Sequence, residues 1–369
     1  MAAAYILAQN RRNLRRERVF RDRNNPLDYM TDADIIDKFR LPRHLILSLC
    51  VELNAHLARD TRRSHALPPP LQIMVALRFY ASGNFQTVTD DLHGISKASV
   101  SRVVNAVSSA LVTLSSHYIK FPQDDRSINN TILGFSRMAN FPNVIGAIDG
   151  THIPIKAPKN DEHLFVNRKN FHSINVMAVC DSRTKFTNIV AKWPGSSHDS
   201  FVWTNSTLSD LFENGYIIRG WLLGDSAYPL KNYLKTPVLN PSNPRELAYN
   251  DAHAKTRNPI ERSFGVLKMR FRCIDHSGGT LLFHPTRACR IVTACVVLHN
   301  LCTDHNVPVP QAQNPGAYQL NPPDIYVYQG PNNDGAEIRQ RLILSRFSGG
   351  TTKKNCAFMK YGAVFILCI

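Results

Sequence analysis

The chain has 369 residues, 43% hydrophobic and 20% charged, which fits a folded, water-soluble protein of about two domains and excludes a disordered or membrane-embedded one. Its 44 Lys and Arg against 28 Asp and Glu give a formal charge of +16, so the expected partner is a polyanion, with nucleic acid the first candidate. No stretch holds the roughly 18 consecutive apolar residues of a membrane span, and the eight cysteines have no paired short spacings, so they read as reduced thiols of a nuclear or cytosolic protein.

Residues 1–31 form a basic arm with seven arginines between positions 11 and 23. Glu17 and Asp22 interrupt that run, which argues against a mitochondrial presequence. A nuclear import signal or phosphate-binding arm tolerates them, so the expected location is the nucleus, with the cytoplasm second.

Residues 32–118 read as an all-α module. Pro68, Pro69 and Pro70 open one helix and Gly83 closes it. Next come a short helix, a turn at Gly94-Ile95 and a helix capped by Ser96, whose apolar face is Val100, Val103, Val104, Val107 and Leu111. Its outer face carries Lys97, Ser101, Arg102 and Asn105. Two helices around a glycine turn, with small polar and basic residues outside, resemble a helix-turn-helix placed for the major groove, although a helical hairpin in any bundle gives the same pattern.

Residues 143–302 change character. NVIGAIDGTHIPI is an apolar run interrupted by Asp149-Gly150, and Asp-Gly between apolar runs is the signature of a hairpin turn. FHSINVMAVCD and KFTNIVAKWPG follow as strands joined at DSRT, where Asp181 serves the turn. SSHDSFVWTNSTLSDLF turns helical and puts Asp199 near a helix start, where it also complements the helix dipole. GWLLGDSAYPL is a buried strand ending at Gly224-Asp225. Asn258, Pro259 and Glu261 occupy N-cap, N1 and N3 of one possible helix start; a longer helix from Ala252, kinked at Pro259, puts Glu261 in mid-helix instead. Either way Ile260, Phe264, Leu267 and Phe271 are buried and Glu261 lies at the rim of that stripe, on the side of Lys268 and Arg272. Cys295, His299 and Cys302 have helical spacing within an apolar run, which reads as a buried helix face rather than a zinc site.

Three strands, a helix, a strand and a later helix, with acids at Asp149, Asp199, Asp225 and Glu261, match the order of a ribonuclease-H-like α/β fold. In that fold the first and fourth strands are neighbours, which brings Asp149 close to Asp225.

The motifs RSHALPPPLQIMVALRFYASGNFQT, GISKASVSRVV, AIDGTHIPIKAP, VNRKNFHSIN, WPGSSHDS, WLLGDSAYPL, IERSFGVLKMRFRC and CVVLHN occur in this order between about Asp32 and Asp304. Together they resemble the PIF/Harbinger transposases, which carry a DDE catalytic domain. The resemblance implies a transposase-derived DNA endonuclease with Asp149, Asp225 and Glu261 as its acidic triad and Asp199 as a further metal-binding carboxylate. It also implies a Myb-like partner protein, since Harbinger systems usually act with one.

Hard carboxylate oxygens favour Mg²⁺ or Mn²⁺ as cofactor. Two ions about 4 Å apart would activate a water and stabilise the leaving oxygen. Lys156, Lys268 and Arg272 are candidates for holding the DNA backbone. The alternative is a DNA-binding or adaptor protein that keeps the fold and metal site without turnover. A serine hydrolase built on Ser197, His198 and Asp199 fails, because adjacent side chains cannot form the relay. Residues 303–369 read as a C-terminal tail that departs from the family pattern after 348, and its apolar end favours self-association into a homo-oligomer.

Overall fold

The computed structural model describes residues 25–58, 67–91, 95–310, 328 and 333–347; the arginine run at 11–23, the Gly94 turn and the tail after 347 lie outside them. The first half of the described chain is helical: α1 (Asp32–Phe39), α2 (Arg43–Glu52), α3 (Pro69–Ser82), α4 (Phe85–Asp91) and α5 (Lys97–Thr113). Local chemistry sets their ends. The Thr31 hydroxyl accepts the Asp34 N–H to open α1, Gly83 closes α3 at φ 73°, and Ser96 Oγ accepts the Ser99 N–H to open α5. The five apolar residues expected on the inner face of α5 are all buried. Helix α3 is apolar nearly all round because it packs on α2, on α5 and on a 3-10 turn at Arg272–Ile274.

Helix α6 (Asp125–Ala139) leads into a five-stranded sheet of β1 (Val144–Pro154), β2 (Ser173–Cys180), β3 (Phe186–Pro194), β4 (Trp221–Leu223) and β5 (Leu234–Lys235), in the spatial order β3-β2-β1-β4-β5. β1, β2 and β3 pair antiparallel; β4 lies parallel to β1, and β5 parallel to β4. The first and fourth strands are therefore neighbours, as expected of a ribonuclease-H-like fold.

The hairpin expected at Asp149-Gly150 does not form. β1 runs straight through it, with Asp149 opposite Ala178 and Gly150 opposite Met177, because β2 offers a partner for every residue from Ala147 to Pro154. The glycine serves a close approach instead: a Cβ on Gly150 would lie 2.4 Å from Asp199 Oδ1.

After β3 the expected single helix is two, α7 (Asp199–Thr204) and α8 (Thr207–Glu213), because Ser206 restarts the helix by accepting the Ser209 N–H. Then come α9 (Pro244–Arg270), α10 (Pro285–Asp304) and α11 (Asn333–Arg346). Asn243 caps α9, so Glu261 is in mid-helix and a helix start at Asn258 is not realised. Pro259 sits inside α9, which costs about 3 kcal/mol in an exposed helix; here Ile260, Phe264 and Leu267 are buried and hold the helix on the sheet.

The sheet is covered on both faces. Ile174, Val176, Ala178 and Cys180 point into a core shared with α9, α10 and the helices of residues 32–118, while Met177 and Val179 point into a second core with Val202, Trp203, Leu208 and Phe212 of α7 and α8. Cys295, His299 and Cys302 are fully or nearly fully buried on α10, where His299 Nε2 donates to the Thr184 carbonyl at 2.9 Å. No described helix is long and apolar enough to cross a membrane.

Candidate acidic centre

The register of β1 sorts the acids by face. Paired residues on antiparallel strands point the same way, so Asp149 shares the side of Ala178, which is the α9 side. Glu261 lies on α9 itself and Asp225 follows the end of β4, where its Oδ1 accepts the Ala227 N–H at 2.9 Å. Asp199 comes from the other face, that of Met177, and meets the strand where Gly150 has no side chain. Its Oδ1 accepts from Asn175 Nδ2 at 2.8 Å, and Asn175 also donates to the Ser197 carbonyl, so β2 fixes the start of α7.

The residue joining this centre is Arg257. Its Nη1 donates to Asp149 Oδ2 at 3.0 Å and its Nη2 to Glu261 Oε1 at 2.6 Å, with only 12% of the arginine side chain exposed. Burial works against the guanidinium charge, but Asp149, Asp225 and Glu261 outweigh it, so its pKa is raised. Asp225 shifts the other way for a carboxylate: burial first, then the like charge of Asp149, lift it well above the usual range, with Asp199 adding to the effect and Arg257 opposing it. Tyr228 feels the same field. Its hydroxyl is buried without a hydrogen-bond partner, and burial followed by Asp199, Asp149 and Asp225 raises its pKa far above the usual phenol value.

Sequence reasoning missed Arg257 and Tyr228. Arg257 carried a signal, since it stands four residues before Glu261 and so on the same side of the helix. Tyr228 carried none, because a tyrosine after a strand end is ordinary core.

As they stand, the described residues contain no group of three His, Cys, Asp or Glu side chains able to hold a metal ion. Two features account for this: Arg257 lies between Asp149 and Glu261, and Asp199 reaches the strand from the opposite face. The donor chemistry nonetheless fits a hard divalent cation. Every candidate donor is a carboxylate oxygen, and the neighbouring Cys180 thiol is held protonated by burial. A cation would favour the charged form of Asp225, which burial and the Asp149 charge now disfavour, and offer the Tyr228 oxygen a partner.

The candidate nucleic-acid residues lie elsewhere. Lys97 and Arg102 are exposed on α5, whereas Ser101 and Asn105 are half-buried and Asn105 Oδ1 is enclosed without a partner. Lys156 is exposed just after β1. Lys268 turns inward and donates to Thr151 Oγ1 at 2.7 Å, tying α9 to β1 two residues past Asp149. Arg272 lies in the 3-10 turn after α9. His198 Nδ1 bonds Arg168 at 2.6 Å, so the Ser197-His198-Asp199 sequence forms no hydrolase relay.

Residues 148–300 match the family model described as DDE superfamily endonuclease. The chain is 41% identical over 323 residues to the protein named "Putative nuclease HARBI1" of Homo sapiens, covering 87% of this chain and 93% of that protein. The protein of that name from Xenopus laevis is 40% identical over 323 residues, covering 87% and 92%. The chain belongs to the Harbinger transposase-derived nuclease family. A more distant relative, "Protein ALP1-like" of Arabidopsis thaliana, is 29% identical over 251 residues, covering 63% of this chain and 60% of that protein. No solved structure matches.

Proposed function

We propose that the chain is a divalent-metal-dependent DNA endonuclease on a ribonuclease-H-like fold, with Asp149, Asp225 and Glu261 as its acidic triad and Asp199 as a further carboxylate at the same centre. The observation that carries this reading is the shared electrostatic environment of Asp149, Asp225 and Glu261 around one guanidinium, with Asp199 pressed against Gly150. Acids from a strand, a strand end and a helix remote in sequence meet there, in a chain whose relatives are named as nucleases.

Asp149, Asp225 and Glu261 would hold Mg²⁺ or Mn²⁺, with Asp199 completing the donors. The bound metal would supply Lewis-acid charge and lower the pKa of an attacking water. The chain's own part is positional. Arg257 bridges Asp149 and Glu261 and fixes their spacing, Asn175 holds Asp199, and Lys268 steadies β1 through Thr151. Lys156 and Arg272, together with Lys97, Ser101, Arg102 and Asn105 on α5, are the proposed DNA contacts. We place the division between the helical module and the nuclease domain at residues 118–143, the protein in the nucleus, and its work beside a Myb-like partner.

A second reading, an adaptor that retains the fold without turnover, is favoured by one feature: a cation of the chain itself already stands between two of the acids. Plasmid nicking in Mg²⁺ or Mn²⁺, with Asp149→Ala, Asp225→Ala and Glu261→Gln beside the wild type, separates the two. Nicking by the wild type alone supports the nuclease; equal nicking by all four marks a contaminant, and none by any marks the adaptor.

A further inference from the structure

A cavity of about 290 Å³ lies between α1, the turn from α3 to α4 and the 3-10 turn after α9, and none of the four acids lines it. Three arginines distant in sequence, Arg40, Arg78 and Arg272, converge on its wall. Like charges gather in a concave, half-buried place only against a cost, and for Arg40 the acid nearby offsets it only in part. Asp91 is shared between Lys38 and Arg78, and Asp37, the partner of Arg40, keeps 82% of its side chain in solvent. Burial works most strongly against the Arg40 guanidinium; the charge and hydrogen bond of Asp37 oppose it, and the charges of Arg78 and Arg272 add to it, so that its pKa is lowered on balance. That side chain is 13% exposed, and its Nε is enclosed without a hydrogen-bond partner. Its backbone is in the left-handed region at φ 66°, as the C-cap of α1, where glycine or asparagine would sit with less strain.

We propose that this cavity grips a backbone phosphate of nucleic acid, at a site separate from the acidic centre. Guanidinium forks match phosphate oxygens in geometry and in charge, and hydroxyl and amide side chains on the wall can donate to the remaining oxygens. The room is about that of ten water molecules, each filling about 30 Å³. Position argues for a phosphate in a strand rather than a free ion. Arg272 follows α9 directly, and at about 1.5 Å per helical residue it stands about 16 Å along the axis from Glu261. At about 3.4 Å per nucleotide of duplex strand, a phosphate held here lies roughly five nucleotides from the acids.

The test reads binding in EDTA, so it is independent of cleavage: anisotropy of a labelled duplex oligonucleotide across a salt series, with inorganic phosphate added in a parallel thermal-shift arm. Arg40→Gln removes one guanidinium. Asn84→Asp puts a carboxylate on the wall while keeping the Oδ1 that accepts the Gln86 N–H at 2.8 Å, so the local turn is preserved.

Both variants are expected to bind roughly tenfold more weakly at low salt, and Arg40→Gln to make the log-log salt slope shallower by about 0.9. Wild-type slope and affinity in both variants overturns the proposal, as does a wild type that does not bind the duplex. Weakening by Arg40→Gln alone marks a structural effect and overturns it too. Loss of the phosphate-induced thermal shift with unchanged duplex binding assigns the cavity to a free anion and removes the nucleic acid. A wild type that binds but never cleaves, with the weakening and slope change present in the variants, leaves this site standing while the nuclease reading falls.

Discussion

Arg257 and Asp149 are 108 residues apart in the chain, yet Nη1 of the arginine lies 3.0 Å from Oδ2 of the aspartate, pinning the middle of α9 to the middle of β1. The other guanidinium nitrogen holds Glu261, so one side chain sets the distance between two proposed catalytic acids. A divalent cation competing for those oxygens has to displace it.

Replacing Arg257 with Met leaves Asp149 buried without its counter-charge. Breaking such a pair costs about 3 kcal/mol, Glu261 adding less because 36% of its side chain is exposed. The expected result is a lower thermal midpoint in EDTA and a larger rise on adding Mn²⁺ than the wild type shows. Equal midpoints in EDTA would show that Arg257 does not balance the acids, and an equal rise would show that the ion does not use its place.

Gly150→Ala tests whether Asp199 belongs to the centre. The new Cβ would stand 2.4 Å from Asp199 Oδ1, so the carboxylate must shift away from β1 and loosen its bond to Asn175. Overpacking of this kind costs about 1–3 kcal/mol, small enough for the fold to persist. Nicking is expected to fall at least as far as in Asp199→Asn, by roughly tenfold or more for a misplaced group. Full activity in Gly150→Ala with the fold intact would remove Asp199 from the mechanism.

The buried stripe of α9 was legible because Ile260, Phe264 and Leu267 write it in the helical period, and β2 because it is a short apolar run, buried at every residue; the strand order came from matching the succession of elements to a known fold. The continuity of β1 was not legible, since Asp149-Gly150 is a turn signal by local rules and only the partner strand and the approach of Asp199 overrule it. The start of α9 was ambiguous for a similar reason. Pro259 is a common first residue of a helix, and nothing near it in sequence reveals that Asn243 has already capped one. That Asp199 reaches β1 from the opposite face to Asp149 depends on the register of β1 against β2, which no single segment encodes.

Lys268 and Thr151 supply a double-mutant cycle. Thr151→Val removes the acceptor that Lys268 Nζ reaches at 2.7 Å and leaves an ammonium with burial against it, whereas Lys268→Met removes the charge as well. A hydrogen bond to a charged group contributes about 1.5–3 kcal/mol, and removing both partners costs less than orphaning one. The double variant should therefore be more stable to urea than Thr151→Val alone. Simple addition of the two single losses would show that the contact carries no weight.

Two buried histidines outside the acidic set contribute to the pH dependence of stability. Burial lowers both His253 and His299 to about 4, and each donates Nε2–H to a backbone carbonyl, of Lys235 and Thr184. Unfolded, a histidine titrates near 6.5, so between roughly 6.5 and 4 the unfolded chain binds the extra protons. Their contribution to stability therefore rises with pH across that window: it is complete above it, is lost as pH falls through it, and levels off below, while Asp225, raised to about 7, acts in the opposite sense over the same range. One histidine accounts for about 3 kcal/mol at most. His299→Gln keeps a donor for Thr184 but cannot titrate, so its urea midpoint should fall less than the wild type's between neutral pH and about pH 5. An identical fall in both proteins would place the acid sensitivity in the carboxylates instead, and His299 would be packing alone.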